Sequence, residues 1–145
     1  MTKFNKLIPE IIVSNLEASL KFYCKILGFD IEYERPENGF AFISYQGSQL
    51  MLEQDLLRSS PWRVEPLEQP YGRGMNLSIE SPDVVGLATA LGNSGHTLRK
   101  PIEECWYRKD SILVGESNFL VLDPDGYLLR FSQDLGSKPA IRDEF

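Results

Sequence analysis

Apolar and polar residues change period along this chain in a fixed order, and the order occurs twice. In Ile8–Val13, Ile11 and Val13 share a face with Pro9 while Ile8, Glu10 and Ile12 share the other, a strand pattern. Ser14-Asn15-Leu16-Glu17 follows with capping-box spacing, and Leu16, Leu20, Tyr23 and Leu27 then recur as one helical stripe, widened by Phe22 and Ile26. Gly28 stops the helix. Phe29–Arg35 alternates again, with Ile31 and Tyr33 expected on one face and Glu32 and Glu34 on the other. Pro36-Glu37-Asn38-Gly39 is a turn, and Phe40–Tyr45 and Ser48–Gln54 are strands around the tight turn Gln46-Gly47. The first half therefore reads β-α-β-β-β.

Residues 55–73 carry three prolines and no sustained period, so they form a long connection, with one helical turn expected around Leu56–Arg58. Met75, Leu77 and Ile79 then alternate with Asn76, Ser78 and Glu80 as a half-buried strand. Ser81-Pro82-Asp83 opens a second helix, with Ser81 as the expected cap, the stripe Val84, Leu87, Ala88 and Leu91, and Gly95 as the stop. Strands are expected at Thr97–Lys100, at Cys105–Arg108, in part of Ile112–Leu122 and at Tyr127–Ser132. The last two flank Asp123-Pro124-Asp125-Gly126, a hairpin turn. Beyond it Tyr127, Leu129 and Phe131 make an apolar face and Arg130 points away from the core.

Strand, capped helix, glycine stop and three strands thus recur on either side of the connection. This predicts an α+β fold of two tandem βαβββ modules, about residues 8–54 and 75–132, within one domain spanning 1–145. Helices on the outer face of curved mixed sheets would leave the more polar faces to line a groove. Alternation puts Glu10, Met51, Glu53, Asn76, Ser78 and Arg130 on that side. Only the tail, residues 136–145, is expected to be disordered.

Composition narrows the function. A net charge of −6 and an acidic pI near 4.8 argue against nucleic acid, whose phosphates demand a basic surface, and suit a cationic small molecule. No apolar run approaches the ~20 residues of a membrane span, and the first residues lack an apolar signal core, so a cytoplasmic protein is expected. Cys24 and Cys105 make no disulfide framework and are expected to stay reduced. Phosphate-binding loops, Cys-x-x-Cys pairs and nucleophile elbows do not occur.

The tandem β-α-β-β-β order, the segment Val-Ser-Asn-Leu-Glu-Ala-Ser-Leu-Lys-Phe-Tyr and the Asp-Pro-Asp-Gly-Tyr hairpin together resemble the vicinal oxygen chelate superfamily. That superfamily includes glyoxalase I, extradiol dioxygenases, fosfomycin-resistance enzymes and bleomycin-resistance proteins. The resemblance covers roughly Ile8 to Leu135. Its enzymes hold a divalent metal with His and Glu on four strands, and the matching positions here are Ile8, Met51, Gly74 and Arg130. The first three offer no suitable donor and Arg130 is a fixed cation. The resemblance therefore implies the branch without metal or other cofactor, the bleomycin-resistance proteins, to which Leu-Met-Leu-Glu-Gln, Arg-Gly-Met-Asn-Leu-Ser-Ile and Glu-Cys-Trp-Tyr-Arg are also similar. Such proteins are homodimers that sequester a bulky, cationic, partly aromatic drug. Binding one requires aromatic surface beside acidic groups, for which Glu10, Tyr33, Phe42, Met51, Glu53, Trp62, Asn76, Trp106 and Arg130 are the candidate ligand-binding residues. A metal-dependent lyase or dioxygenase using displaced carboxylates, and a binding module for an endogenous metabolite, remain the alternatives.

Several of these residues have plainer readings. Trp62 fits a ligand contact and a plug anchoring the connection equally well; Phe42 fits the core better than a pocket. Trp106 and Tyr107 are adjacent in a strand and must face opposite ways. Arg130 fits an ion pair with Glu10 or Glu53 as well as a ligand contact. His96 follows the helix stop at Gly95, where a solvated residue or a helix-end contact is expected in place of catalysis. Turn chemistry accounts for Asp123 and Asp125.

Overall fold

A computed structural model describes residues 3–56 and 60–141. The chain forms two compact units, Met1–Met75 with Asp123–Tyr127, and Asn76–Leu122 with Leu128–Phe145. Each contains a four-stranded mixed sheet and a helical segment, the α+β arrangement of repeated βαβββ modules that the pattern predicts.

In the first unit β1 (Glu10–Val13) leads into α1 (Leu16–Leu20), followed by β2 (Asp30–Arg35), β3 (Phe40–Tyr45) and β4 (Ser48–Gln54), in the sheet order β1-β4-β3-β2. Asn15 caps α1 in place of the expected capping box, its Oδ1 accepting from the Ala18 amide at 3.0 Å. Ser14 is drawn elsewhere: its hydroxyl donates to Asp125 Oδ1 at 2.5 Å and its amide to Asp125 Oδ2 at 2.9 Å. After Leu20 the helix widens to π geometry over Lys21–Ile26, which turns Phe22, Tyr23 and Leu27 inward. With Val13, Ala41, Ile43 and Leu52 they form the core of this unit. Each fully buried large side chain contributes about 1.5–3 kcal/mol relative to exposure.

β2 departs from simple alternation. A register shift lies between Ile31 and Tyr33, so Ile31 pairs with Ile43 and Tyr33 with Phe42. The two therefore face opposite ways, because the extra residue of a bulge flips every side chain beyond it.

In the second unit β5 (Asn76–Glu80) leads into α2 (Val84–Asn93), then β6 (Lys100–Lys109), β7 (Ile112–Leu122) and β8 (Leu128–Pro139), in the order β5-β8-β7-β6. Asp83, not Ser81, caps α2, its Oδ1 accepting from the Gly86 amide at 2.9 Å, while the buried Ser81 hydroxyl accepts from the Asp83 amide at 3.0 Å. Val84, Leu87 and Leu91 are buried against the sheet with Phe119, Val121, Leu129 and Phe131. One strand, β6, replaces the two expected around Pro101. It is an edge strand, where a missing amide is tolerated, and its register shifts between Lys100 and Glu103. β8 also runs past its expected end at Ser132: Gly136–Pro139 pairs with Gly115–Ile112, so this part of the expected tail is sheet. The helical turn expected around Leu56–Arg58 falls largely on 57–58, outside the described residues, as does 142–145 of the tail.

The last hairpin closes as its turn residues require. Asp123 Oδ1 accepts from the amides of Asp125 and Tyr127, both at 2.9 Å, and Gly126 takes φ +93°.

Candidate functional site

Register places two rows of side chains across the face of the first sheet. One is Ile12, Glu53, Phe40 and Arg35; the other is Glu10, Met51, Phe42 and Tyr33. The Tyr33 and Phe42 rings stack with centroids 5.3 Å apart, and Phe4 lies edge-on to Phe42 at 5.2 Å. Phe42 is thereby only 1% exposed although it belongs to the polar face, so the expectation of core packing holds for its burial and not for its side of the sheet. The Arg35 guanidinium lies over the Phe40 ring with its Cζ 4.1 Å from the centroid.

The connection after β4 adds a tryptophan to this face. Asp55 donates its amide to the Val13 carbonyl and pairs through Oδ1 with Arg63 at 2.5 Å. The Ser60 hydroxyl accepts from the Trp62 amide at 3.2 Å. These bonds set Trp62 at the rim with 68% of its surface exposed, which a buried plug would not show. Trp62, Leu56, Phe40, Glu10, Glu53 and Arg35, with Glu37 and Asn38, line a cavity of about 340 Å³. A second hollow of about 310 Å³ adjoins it, sharing Glu53, Leu56 and Trp62.

Electrostatics in the cavity are dominated by two like charges. Burial holds the Glu10 carboxyl above its usual range, and the hydrogen-bonding and charge of Glu53 add to this while Arg35 opposes it. The pair favours a proton or another cation between its oxygens. Within the helical segment Lys21–Ile26, burial pushes the Cys24 thiol up to about 11, with Asp30 and Glu34 adding to it, which leaves that cysteine a poor nucleophile.

The second unit carries a different polar face. Lys100 Nζ contacts Asn118 Oδ1, the Asn118 amide donates to Glu116 Oε1 at 2.8 Å, Glu116 pairs with Arg130 at 3.9 Å, and Arg130 donates to the Ser78 hydroxyl at 3.3 Å. This chain of contacts crosses all four strands. Arg130 thus meets a carboxylate of its own sheet, while its Nε has no partner among the described residues. Ser78, Glu80, Tyr107, Glu116, Ser132 and Asp134 border a hollow of about 330 Å³ on this face, and Asn76 shares its side of β5.

Trp106 lies on the opposite face. It pairs with Gly115, whose missing side chain gives its ring room, and the Lys138 ammonium sits 4.3 Å from the ring centroid. Of the candidate residues, then, Glu10, Tyr33, Phe42, Met51, Glu53 and Trp62 occupy one face of the first unit, Asn76 and Arg130 one face of the second, and Trp106 neither. Arg35 and Phe40 escaped the sequence reading. Phe40 was legible in the Phe40-Ala41-Phe42 alternation; Arg35 was not, since the bulge in β2 decides which way it points.

The donors at the metal positions of the resembling enzymes do not suit a divalent metal. Ile8 and Gly74 have no side-chain donor, Met51 offers a thioether, and Arg130 is a cation already engaged with Glu116 and Ser78. Counting seven residues back from the helix caps Asn15 and Asp83 gives Ile8 in one module and Asn76 in the other, and the amide of Asn76 does not repair the set. Among the described residues no three His, Cys, Asp or Glu side chains lie close enough to share a metal ion.

Comparison with solved structures finds the same fold in TioX from Micromonospora sp. ML1, 16% identical over 91% of this chain and 100% of that one, with a TM-score of 0.68. A virulence protein from Salmonella typhimurium is 17% identical over 92% and 98% of the two chains, with a TM-score of 0.66. A glyoxalase/bleomycin resistance protein/dioxygenase from Alicyclobacillus acidocaldarius is 16% identical over 90% and 92%, with a TM-score of 0.61. Comparison with curated protein sequences gives no match. The family model for glyoxalases matches residues 5–131, almost the whole of both modules. This chain belongs to the Glyoxalase/Bleomycin resistance protein/Dioxygenase superfamily.

Proposed function

We propose that the protein binds, without converting it, a bulky cationic and partly aromatic small molecule, and that it acts as a cytoplasmic homodimer of the bleomycin-resistance kind with no metal or other cofactor. A bleomycin-type glycopeptide is the named candidate. The observation that carries this reading is the first-unit cavity, where the exposed indole of Trp62 stands with Phe40 beside the paired carboxylates Glu10 and Glu53. A flat ring against Trp62 gains cation–π and stacking energy of about 0.5–2 kcal/mol. A cation 4 Å from a carboxylate near a protein surface gains a gross Coulomb term of about 4 kcal/mol before desolvation. Apolar burial adds to these, and micromolar affinity requires their sum to exceed the costs of desolvation and association by roughly 8 kcal/mol.

Titration of the purified protein with metal-free bleomycin, read by tryptophan fluorescence and calorimetry, tests the reading. Saturable binding at micromolar or tighter affinity supports it; no binding by either method removes the drug assignment. Retention of stoichiometric metal after purification, with an activity lost on chelation, would instead establish an enzyme. Sedimentation equilibrium tests the dimer.

A further inference from the structure

Resting on the function proposed above, we infer that the first-unit cavity selects a zwitterion: Arg35 takes a carboxylate of the ligand while Glu10 and Glu53 take its ammonium and Trp62 its aromatic group. Arg35 is unusual in how it is held. Its guanidinium lies 4.1 Å from the Phe40 ring centroid and 5.7 Å from that of Tyr33, so aromatic faces position it. Among the described residues it forms neither a hydrogen bond nor an ion pair. A guanidinium held over aromatic rings, and not by hydrogen bonds, keeps its N–H donors open, in a fork that matches a carboxylate.

Arg35 and the Glu10–Glu53 pair border the same cavity, yet Arg35 is committed to neither carboxylate. A ligand bearing only a cation would satisfy the glutamates and leave the guanidinium unpaired beside its own positive charge. A ligand bearing only an anion would meet two like-charged carboxylates. One that carries both, on an aromatic body, complements Arg35 and the Glu10–Glu53 pair at once, and its opposed charges also lower the repulsion that either group would feel alone.

L-phenylalanine, phenethylamine and 3-phenylpropionate separate these cases, since they share one ring and differ only in charge. Each is titrated at pH 7 into the Trp106→Phe protein, whose one remaining tryptophan is Trp62, with calorimetry on the unmodified protein as a second readout. L-phenylalanine is expected to bind at least tenfold more tightly than either singly charged analogue. Arg35→Gln should bring it down to the phenethylamine value and leave phenethylamine within twofold. Arg35→Lys, which keeps the charge and loses the fork, should fall between. Phenethylamine binding as tightly as L-phenylalanine, or losing as much with Arg35→Gln, would overturn the zwitterion assignment and leave the cation-binding function standing. No response to any of the three would overturn the zwitterion assignment, while the bleomycin titration decides the cation-binding function separately.

Discussion

The Tyr23 hydroxyl donates a 2.7 Å hydrogen bond to Asp123 Oδ2 across a separation of 100 residues, and both groups are buried. Asp123 Oδ1 meanwhile accepts from the amides of Asp125 and Tyr127, so one carboxylate both shapes the last turn and receives the first helical segment. Burial raises Asp123 above its usual range despite these bonds, and burial together with the Asp123 charge raises Tyr23 well above a free tyrosine. Tyr23→Phe should cost about 1–3 kcal/mol, the penalty of leaving a buried acceptor without its donor, in chemical denaturation at pH 7. A change below the experimental error would show that the buried carboxylate takes a water in place of the hydroxyl.

That relationship also marks how far sequence reasoning reaches. Asp123 and Asp125 were legible as turn residues, but their second task was not: Asp125 accepts from Ser14 and Gln69, and Asp123 from Tyr23, partners with no local signature. The repeated order of strands and helix came through because it depends on period alone. The helix caps did not, since Ser14 and Ser81 compete with Asn15 and Asp83 for the same role and tertiary bonds decide between them. Gly136–Pro139 reads as a tail because only its pairing with the distant β7 makes it a strand. In the site, Glu10, Glu53 and Met51 followed from alternation, whereas Tyr33 and Arg35 owe their face to the bulge in β2.

Gly115 should tolerate no side chain. A Cβ there would sit 2.6 Å from ring atoms of Trp106, whose ring fills the space that the glycine leaves. Gly115→Ala should therefore displace the indole and cost about 1–3 kcal/mol, as overpacking does. Its fluorescence would shift while binding at the first-unit cavity stays unchanged. An unshifted spectrum with full stability would mean that the strand moves to accommodate the methyl group.

Stability should respond to pH through Glu10 in a defined direction. Its carboxyl is raised in the folded protein, so between the ordinary value of 4.5 and the folded value the native state holds the proton longer than the unfolded chain. The contribution is fully present below the unfolded pKa and is lost as pH rises through the folded one. Glu10→Gln removes that loss and should raise the melting temperature at pH 7, with a gain of about 0.5 kcal/mol or less after solvent screening. The gain should vanish by pH 4. A variant less stable at pH 7 would show that the ionised carboxylate is held by a favourable partner instead.

Trp62 separates binding from folding better than any other residue of the cavity. Its indole is mostly exposed, and the turn that carries it is held by the Arg63–Asp55 pair and by the Ser60 hydroxyl on the Trp62 backbone amide. Neither contact uses the ring. Trp62→Ala should leave the melting temperature within about 2 °C, since surface substitutions away from packed features stay within roughly 0.5 kcal/mol. Its effect on ligand should be larger than the ~1 kcal/mol of a peripheral contact, at least about fivefold in Kd for metal-free bleomycin. Phenylalanine at this position should restore part of the loss through stacking, which leucine of similar size would not. Equal affinities for the alanine and native proteins, measured by calorimetry, would move the aromatic contact from Trp62 to the Phe40 and Tyr33 rings deeper on the same face.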